Sequence, residues 1–247
     1  MGAKHRAVFY FTLAGVRQLI YENMVRGIFI RRPNRFIAHV LVGGETVVAH
    51  VKNTGRCKEL LICGAIVVLR KENNEKRKTP YSLIYVYKGD MLINMDSQMP
   101  NYVVEESLKL HLIEGIEAVN IKREQRYGES RFDIRFRNNL SGKDAFMEVK
   151  GVTLEENGLA KFPDAPTLRG VKHINHLIKA AEEGYGAYIF FLVQIEGLKI
   201  FTPNKDTDPV FCETLTQAYK RGVKLLCYNS KLTESSIVLG EPMEIIL

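Results

Sequence analysis

The chain has 247 residues, room for one large domain or two small ones at about 100 to 200 residues each, and its 46% hydrophobic and 26% charged content excludes a disordered, collagen-like or low-complexity protein. Thirty-five Lys and Arg against 28 Asp and Glu leave a formal net charge of +7, which favours a polyanionic partner such as nucleic acid or an acidic membrane surface. Cys57, Cys63, Cys212 and Cys227 form no C-x-x-C pair, and a chain this apolar needs no disulfide framework, so they read as reduced thiols of a cytoplasmic protein.

Lys4, His5 and Arg6 precede the run AVFYFTLAGV, about ten residues against the ~20 that span a bilayer, with no small-x-small cleavage site after it. No membrane attachment follows from it. A start at Met24 would spare every later motif, so residues 1–24 are set apart as an N-terminal extension.

From 25 to 96 the stretches GIFI, RFIAHVLV, ETVVAHV, AIVVLRK, PYSLIYVY and MLIN are separated by turn residues, Gly-Gly and Gly-Asp among them. Short runs rich in Val, Ile and Tyr predict five or six hairpin-linked strands in a small β-barrel or sandwich. Arg26, Arg31, Arg32 and Arg35 fall here with no acid between them, interleaved with Phe29 and Phe36. Basic grooves with aromatic platforms suit nucleic-acid strands, and Asn53 and Arg56 lie in a polar loop able to donate to phosphate. Phe36 is expected in the barrel core; the pattern does not decide for Phe29.

From 97 to 247 the periodicity changes. NYVVEESLKLHLI predicts a helix, strands follow at about 118–127, 131–137 and 145–150, and then come a helix over 167–183, the strand AYIFFLV, IFT, a helix over 208–221 and VKLLCY. Strands alternating with helices indicate an α/β layer domain. In SRFDIRF, Phe132, Ile134 and Phe136 alternate with Arg131, Asp133 and Arg135. A hairpin centred between Leu140 and Ser141 pairs residues whose numbers add to 281, which sets Asp133 opposite Glu148. Opposed side chains have Cβ atoms roughly 4.5 to 5.5 Å apart, where like charges repel. The options are a proton on one carboxyl, neutralisation by Arg131, Arg135 and Lys150, or a divalent cation between the carboxylates. Hard oxygen ligands in small number suit Mg²⁺ or Mn²⁺. Lys150, two residues beyond Glu148, is placed to polarise an attacking water or to stabilise a phosphorane-like transition state. Glu105 and Glu106 of the preceding helix could each add a third acidic ligand, and helical spacing does not choose between them. In GVTLEENGLAKFPDAPTLRGVKHINHL, Thr167 suits a helix N-cap. Arg169, Lys172, His173 and His176 then share one basic helical face, which reads either as a solvated face or as a second phosphate contact.

The motifs RRPNRF, AHVKNTGRCKEL, RKTPYSL, NYVVEESL, SRFDI, EVKGVTL and FPDAPTLRGVKHINHL, in this order from about Ile28 onward, resemble those of the sugar fermentation stimulation protein A family. The resemblance implies an N-terminal OB-fold-like β-barrel and a C-terminal restriction-endonuclease-like domain of the PD-(D/E)xK kind. There a helix glutamate, an aspartate and an E-x-K strand form the metal site, which corresponds to Glu106, Asp133, Glu148 and Lys150. It also implies DNA binding and a link to sugar catabolism. Residues 1–24 lie outside the family pattern, and Lys52 stands where a proline is common. The leading expectation is a two-domain DNA-binding protein with a Mg²⁺- or Mn²⁺-dependent nuclease site. Its rivals are a non-catalytic DNA-binding regulator of sugar catabolism that retains the metal-site residues, and a small-molecule phosphoester hydrolase. Strandedness and oligomeric state, a homodimer included, stay open.

Overall fold

The computed structural model describes residues 8–11, 17–53, 55–74 and 77–247. The chain divides into two compact units, Met1–Gln98 with Lys231–Val238, and Met99–Ser230 with Leu239–Leu247.

The first unit holds β1 (Val8–Phe11), β2 (Arg17–Ile20), β3 (Met24–Asn34), β4 (Ile37–Val42), β5 (Glu45–Val51), β6 (Ile66–Lys71), β7 (Tyr81–Lys88) and β8 (Met91–Asn94). The last six form a sheet in the order β5-β4-β3-β6-β7-β8. Ala49 to Val51 of β5 pair in parallel with Tyr81 to Leu83 of β7, which closes five strands into a barrel and removes their free edges. Alternation fills the interior: Ala38 and Val40, Ala49 and Val51, Val67 and Leu69 are all buried. Gly43 and Gly44 both take positive φ in the tight β4–β5 turn, the conformation that matches the strand twist and that side chains resist.

The second unit holds α1 (Met99–Lys109), β9 (Ala118–Tyr127), β10 (Ser130–Asn138), β11 (Lys143–Val152), β12 (Leu154–Glu156), β13 (Leu159–Phe162), α2 (Leu168–Glu182), β14 (Gly186–Val193), β15 (Ile200–Pro203), α3 (Pro209–Lys220), β16 (Lys224–Thr233), β17 (Ser236–Pro242) and β18 (Glu244–Ile245). Its main sheet runs β17-β16-β14-β11-β10-β9, with β11, β14 and β16 parallel and β9, β10 and β11 antiparallel. Every residue of β14 from Ala187 to Val193 is buried, which is why its sequence is a continuous apolar run instead of an alternating one. A second sheet, β12-β13-β15-β18, is represented in the sequence reading only by IFT of β15, because its strands have two to four residues, too few to show a period. Among the described residues no helix is long and apolar enough to cross a membrane, and the four cysteines are free.

Two boundaries differ from the sequence expectation. The tip of the β16–β17 hairpin belongs to the first unit, where Ser236 and Ile237 pair with Ile20 and Leu19 of β2. Residues 17–23, set apart with the N-terminal extension, are also part of that unit. Tyr21 is 4% exposed, donates its backbone N–H to Ser235 O at 2.6 Å and packs edge-on against Tyr85, the ring centroids 5.7 Å apart. Residues 1–7 and 12–16 lie outside the described residues. Truncating a buried aromatic ring typically costs about 3 to 5 kcal/mol, so Tyr21→Ala should lower the unfolding free energy of the first unit by that order and its urea midpoint with it. An unchanged midpoint would return residues 17–23 to the status of an extension.

Candidate metal centre and basic cleft

The β10–β11 ladder runs from Asn138–Lys143 to Ile134–Met147, each pair adding to the expected 281. One step further, Asp133 Oδ2 accepts the Val149 N–H at 2.8 Å, so a side chain takes a donor that the ladder leaves there. Asp133 Oδ1 accepts from Asn101 Nδ2 of α1, also at 2.8 Å. Glu148 is 5% exposed. Its Oε1 accepts from Lys150 Nζ at 2.7 Å and from His173 Nδ1–H at 2.5 Å. Its Oε2 is buried and has no hydrogen-bond partner.

The environments push the two carboxylates apart. Burial and the neighbouring charge of Glu148 raise the Asp133 pKa above the ordinary range, and the Val149 N–H, Asn101 and Lys150 offset this only in part. Burial also acts to raise Glu148, but the His173 hydrogen bond and the Lys150 charge outweigh it and hold Glu148 below the ordinary range. An ionised Glu148 with one orphaned buried oxygen, beside a carboxyl whose ionised form is disfavoured, fits a divalent cation that prefers oxygen donors.

A third acidic ligand does not join them. No three His, Cys, Asp or Glu side chains among the described residues lie close enough to enclose a metal. Glu106 is held by Lys109 at 2.8 Å, and Glu105 by the same lysine at 2.8 Å with Arg123 at 3.7 Å. Asn101 is the α1 residue that meets Asp133. Glu106 lies five residues further, about 140° around the helix, and so faces elsewhere.

Helix α2 supplies the other side of the centre. Thr167 caps it as expected, its Oγ1 accepting from the Gly170 N–H at 3.0 Å. Asp208, the N-cap of α3, accepts the Thr167 N–H at 2.8 Å and the Phe211 N–H at 2.9 Å, tying the two helix starts together. Arg169 and Lys172 are exposed, Lys172 lying 3.3 Å from Glu129. His173 corrects the expected basic face: it is 6% exposed and bonded to Glu148. The buried stripe of α2 is Gly170, His173, Ile174, Leu177 and Ile178, and position 173 falls inside it by helical periodicity. That spacing was available in the sequence, but a histidine beside basic residues reads as polar surface. Gly151 is required by close approach: a Cβ there would lie 2.4 Å from Gln194 Oε1 and 2.7 Å from Pro100 Cγ.

In the first unit a cleft of about 560 Å³ opens beside β3 and the 53–63 loop. Arg31, Arg35, Arg56 and Lys58 line it and are exposed, and among the described residues no acid contributes to the lining. Arg32 is used differently from its expected role. Its Nη1 donates to Gly55 O at 3.0 Å and Arg56 O at 2.9 Å, and its Nη2 to Arg35 O at 2.6 Å and Asn53 O at 2.8 Å. That guanidinium ties the loops together and is not offered to phosphate. The Asn53 side chain accepts from the Gly55 N–H at 2.8 Å and is likewise spent on the loop. Phe36 corrects the expectation of a core residue, being 54% exposed, and Phe29, which the pattern left undecided, is 2% exposed. Phe36 stands in the β3–β4 turn, where Asn34 Oδ1 accepts the Phe36 and Ile37 N–H groups, so it no longer follows the strand alternation.

Comparison with known proteins agrees with both units. A family model described as "Sugar fermentation stimulation protein RE domain" matches residues 98–236, and one described as "SfsA N-terminal OB domain" matches residues 30–95. A relative named sugar fermentation stimulation protein homolog from Clostridium tetani (strain Massachusetts / E88) is 51% identical over 230 residues, covering 93% of this chain and all of the relative. A relative of the same name from Clostridium novyi (strain NT) is 51% identical over 227 residues, covering 92% of this chain and 99% of its own. The solved structure of Pyrococcus furiosus SfsA in complex with Ca²⁺ is 29% identical with a TM-score of 0.82, covering 92% of this chain and 98% of that one.

The raised Asp133 pKa gives the pH dependence a sign. The folded chain holds this proton more tightly than the unfolded chain does, so the stability Asp133 contributes is full below the unfolded pKa and is lost as pH rises through the folded one. Glu148, which acts in the opposite sense, is present in both proteins compared. In EDTA, the urea stability of the unsubstituted chain relative to Asp133→Asn should therefore fall as pH rises above the ordinary aspartate range. A difference independent of pH would remove the Asp133–Glu148 repulsion from the account.

Proposed function

The chain belongs to the sugar fermentation stimulation protein family, with an OB-fold barrel and a restriction-endonuclease-like α/β domain, and on that footing we propose that it is a cytoplasmic DNA-binding protein with a divalent-metal-dependent phosphodiesterase site. One observation carries the metal reading: Glu148 Oε2 is buried without a partner beside Asp133, whose ionised form is disfavoured by burial and by that same neighbour. Asp133 and Glu148 would hold Mg²⁺ or Mn²⁺, and the Ca²⁺ in the Pyrococcus furiosus relative supports a hard divalent cation. A cation bound there supplies Lewis acidity toward a phosphodiester. Asp133 and Glu148 orient it, and Asn101 and the Val149 N–H keep Asp133 in place. The partly exposed Lys150 ammonium adds positive charge where a phosphoryl group becomes more negative in the transition state.

The +7 net charge and the cation-lined cleft support nucleic acid as the partner, held through its backbone and without base readout. Arg169 and Lys172 add exposed positive charge on α2. A second reading, a DNA-binding regulator that holds a cation without cleaving, is favoured by one observation: Lys109 occupies Glu106, leaving two carboxylates where the family resemblance implies three.

Incubation with linear and circular, single- and double-stranded DNA separates the two readings. Cleavage should occur with Mg²⁺ or Mn²⁺ and stop in EDTA. Lys150→Ala should abolish turnover while leaving metal uptake largely intact, because the lysine is not a ligand. Metal uptake without cleavage of any form would establish the regulator. Binding is tested by salt dependence: each phosphate contact contributes about 0.7 to 0.9 to the slope of log K against log salt, so replacing Arg31, Arg35 and Arg56 together by Ala should flatten it by roughly two units. Arg32→Ala should instead lower stability, by about 1.5 to 3 kcal/mol, with the slope unchanged. A flattened slope for Arg32→Ala alone would put that guanidinium on the phosphate.

A further inference from the structure

We propose that His173 is the positioning residue of the metal centre, holding Glu148 through Oε1 so that Oε2 is kept for the cation. The inference rests on the reading that Asp133 and Glu148 bind a divalent cation, and it adds a group that the D…E-x-K pattern does not contain. Two donors meet on Oε1 and none on Oε2: His173 Nδ1–H at 2.5 Å and Lys150 Nζ at 2.7 Å. The two donors differ in what they can fix. The lysine ammonium has three rotatable N–H bonds on a flexible stem, starts from the same strand as Glu148, and can follow the carboxylate through a range of rotamers.

The imidazole cannot follow. His173 is 6% exposed, and its ring stands edge-on to Phe132 with centroids 6.2 Å apart and planes at 79°. Its helix is fixed at the start by the Thr167 cap and by Asp208, which accepts the Thr167 N–H. A planar donor set in a packed ring therefore defines where Oε1 lies, and the rigid carboxylate geometry then defines where Oε2 points. Partners that hold a metal-ligating carboxylate in this way govern affinity without touching the metal, and their loss typically costs about 10- to 100-fold in metal binding. His173 acts on the cation only through Glu148.

The test uses Mn²⁺ alone, with no nucleic acid, and reads affinity by calorimetry on the full chain beside the metal-induced rise in melting temperature. The unsubstituted chain should take up Mn²⁺, and Asp133→Asn should lose it. His173→Leu, which keeps apolar bulk and removes the donor, should bind about 10- to 100-fold more weakly. His173→Asn, whose amide N–H can occupy the place of Nδ1–H, should recover most of the affinity, whereas His173→Gln, whose donor lies one bond further out, should not. Should His173→Leu fail to fold, the Asn and Gln variants decide alone: equal Mn²⁺ affinity in the two overturns the proposal. Unchanged affinity in a folded His173→Leu, with Asp133→Asn still unable to bind, overturns it too and leaves the metal reading standing. Absence of Mn²⁺ uptake by the unsubstituted chain brings down both.

Discussion

An ionised carboxylate taken out of water costs several kcal/mol unless charges and hydrogen bonds replace its hydration, and Glu148 of β11 is in that position. Lys150 and His173 compensate one oxygen and leave the other bare. Much of the α/β domain can be understood from that requirement. Strand β11 must run beside the fully buried β14, with Glu148 next to Ile189 in the parallel register. Helix α2 must carry an imidazole on its buried stripe, and α3 must contribute Asp208 to hold the start of α2 in place. Asp133 completes the arrangement from β10, tied to the Val149 N–H and to Asn101 of α1.

The arrangement costs stability in a direction that suits binding. Burial and the nearby Glu148 charge disfavour the ionised form of Asp133, and Glu148 Oε2 lacks the hydrogen bond that buried oxygens ordinarily find. A cation of the kind proposed, bound between the two side chains, would relieve both. A packed imidazole, a helix amide and a backbone N–H hold the two side chains in place.

The barrel solves a different problem with the same economy of cations. Arg32 donates to four carbonyls of the 35 to 56 region and so organises the loops around it. Beside that internal guanidinium, Arg31, Arg35 and Arg56 stay at the surface of a cleft whose described lining holds no acid. Arginines close in sequence, Arg31, Arg32 and Arg35, therefore do not share one role. The division follows strand geometry, with register shifts in the β3–β4 pairing at Arg31 breaking any simple inside-outside alternation.

The sequence by itself determined what depends on neighbours along the chain. The barrel strands, the 281 register of the β10–β11 hairpin and the Thr167 cap all come from patterns a few residues long, because hairpin loops and helix caps close locally. The opposition of Asp133 and Glu148 follows from that register. Tertiary structure decided which side chains those elements bring together. Helical spacing left Glu105 and Glu106 equivalent; packing assigned both to Lys109 and placed Asn101 at Asp133. Charge patterning put His173 on the surface, but the depth at which α2 lies on the sheet buried it against Glu148, 25 residues away. Phe36 left the core for a similar reason, since a turn and a bulge override the two-residue period. Burial and pairing of a polar group depend on segments distant in sequence, and no local pattern encodes which of them will arrive.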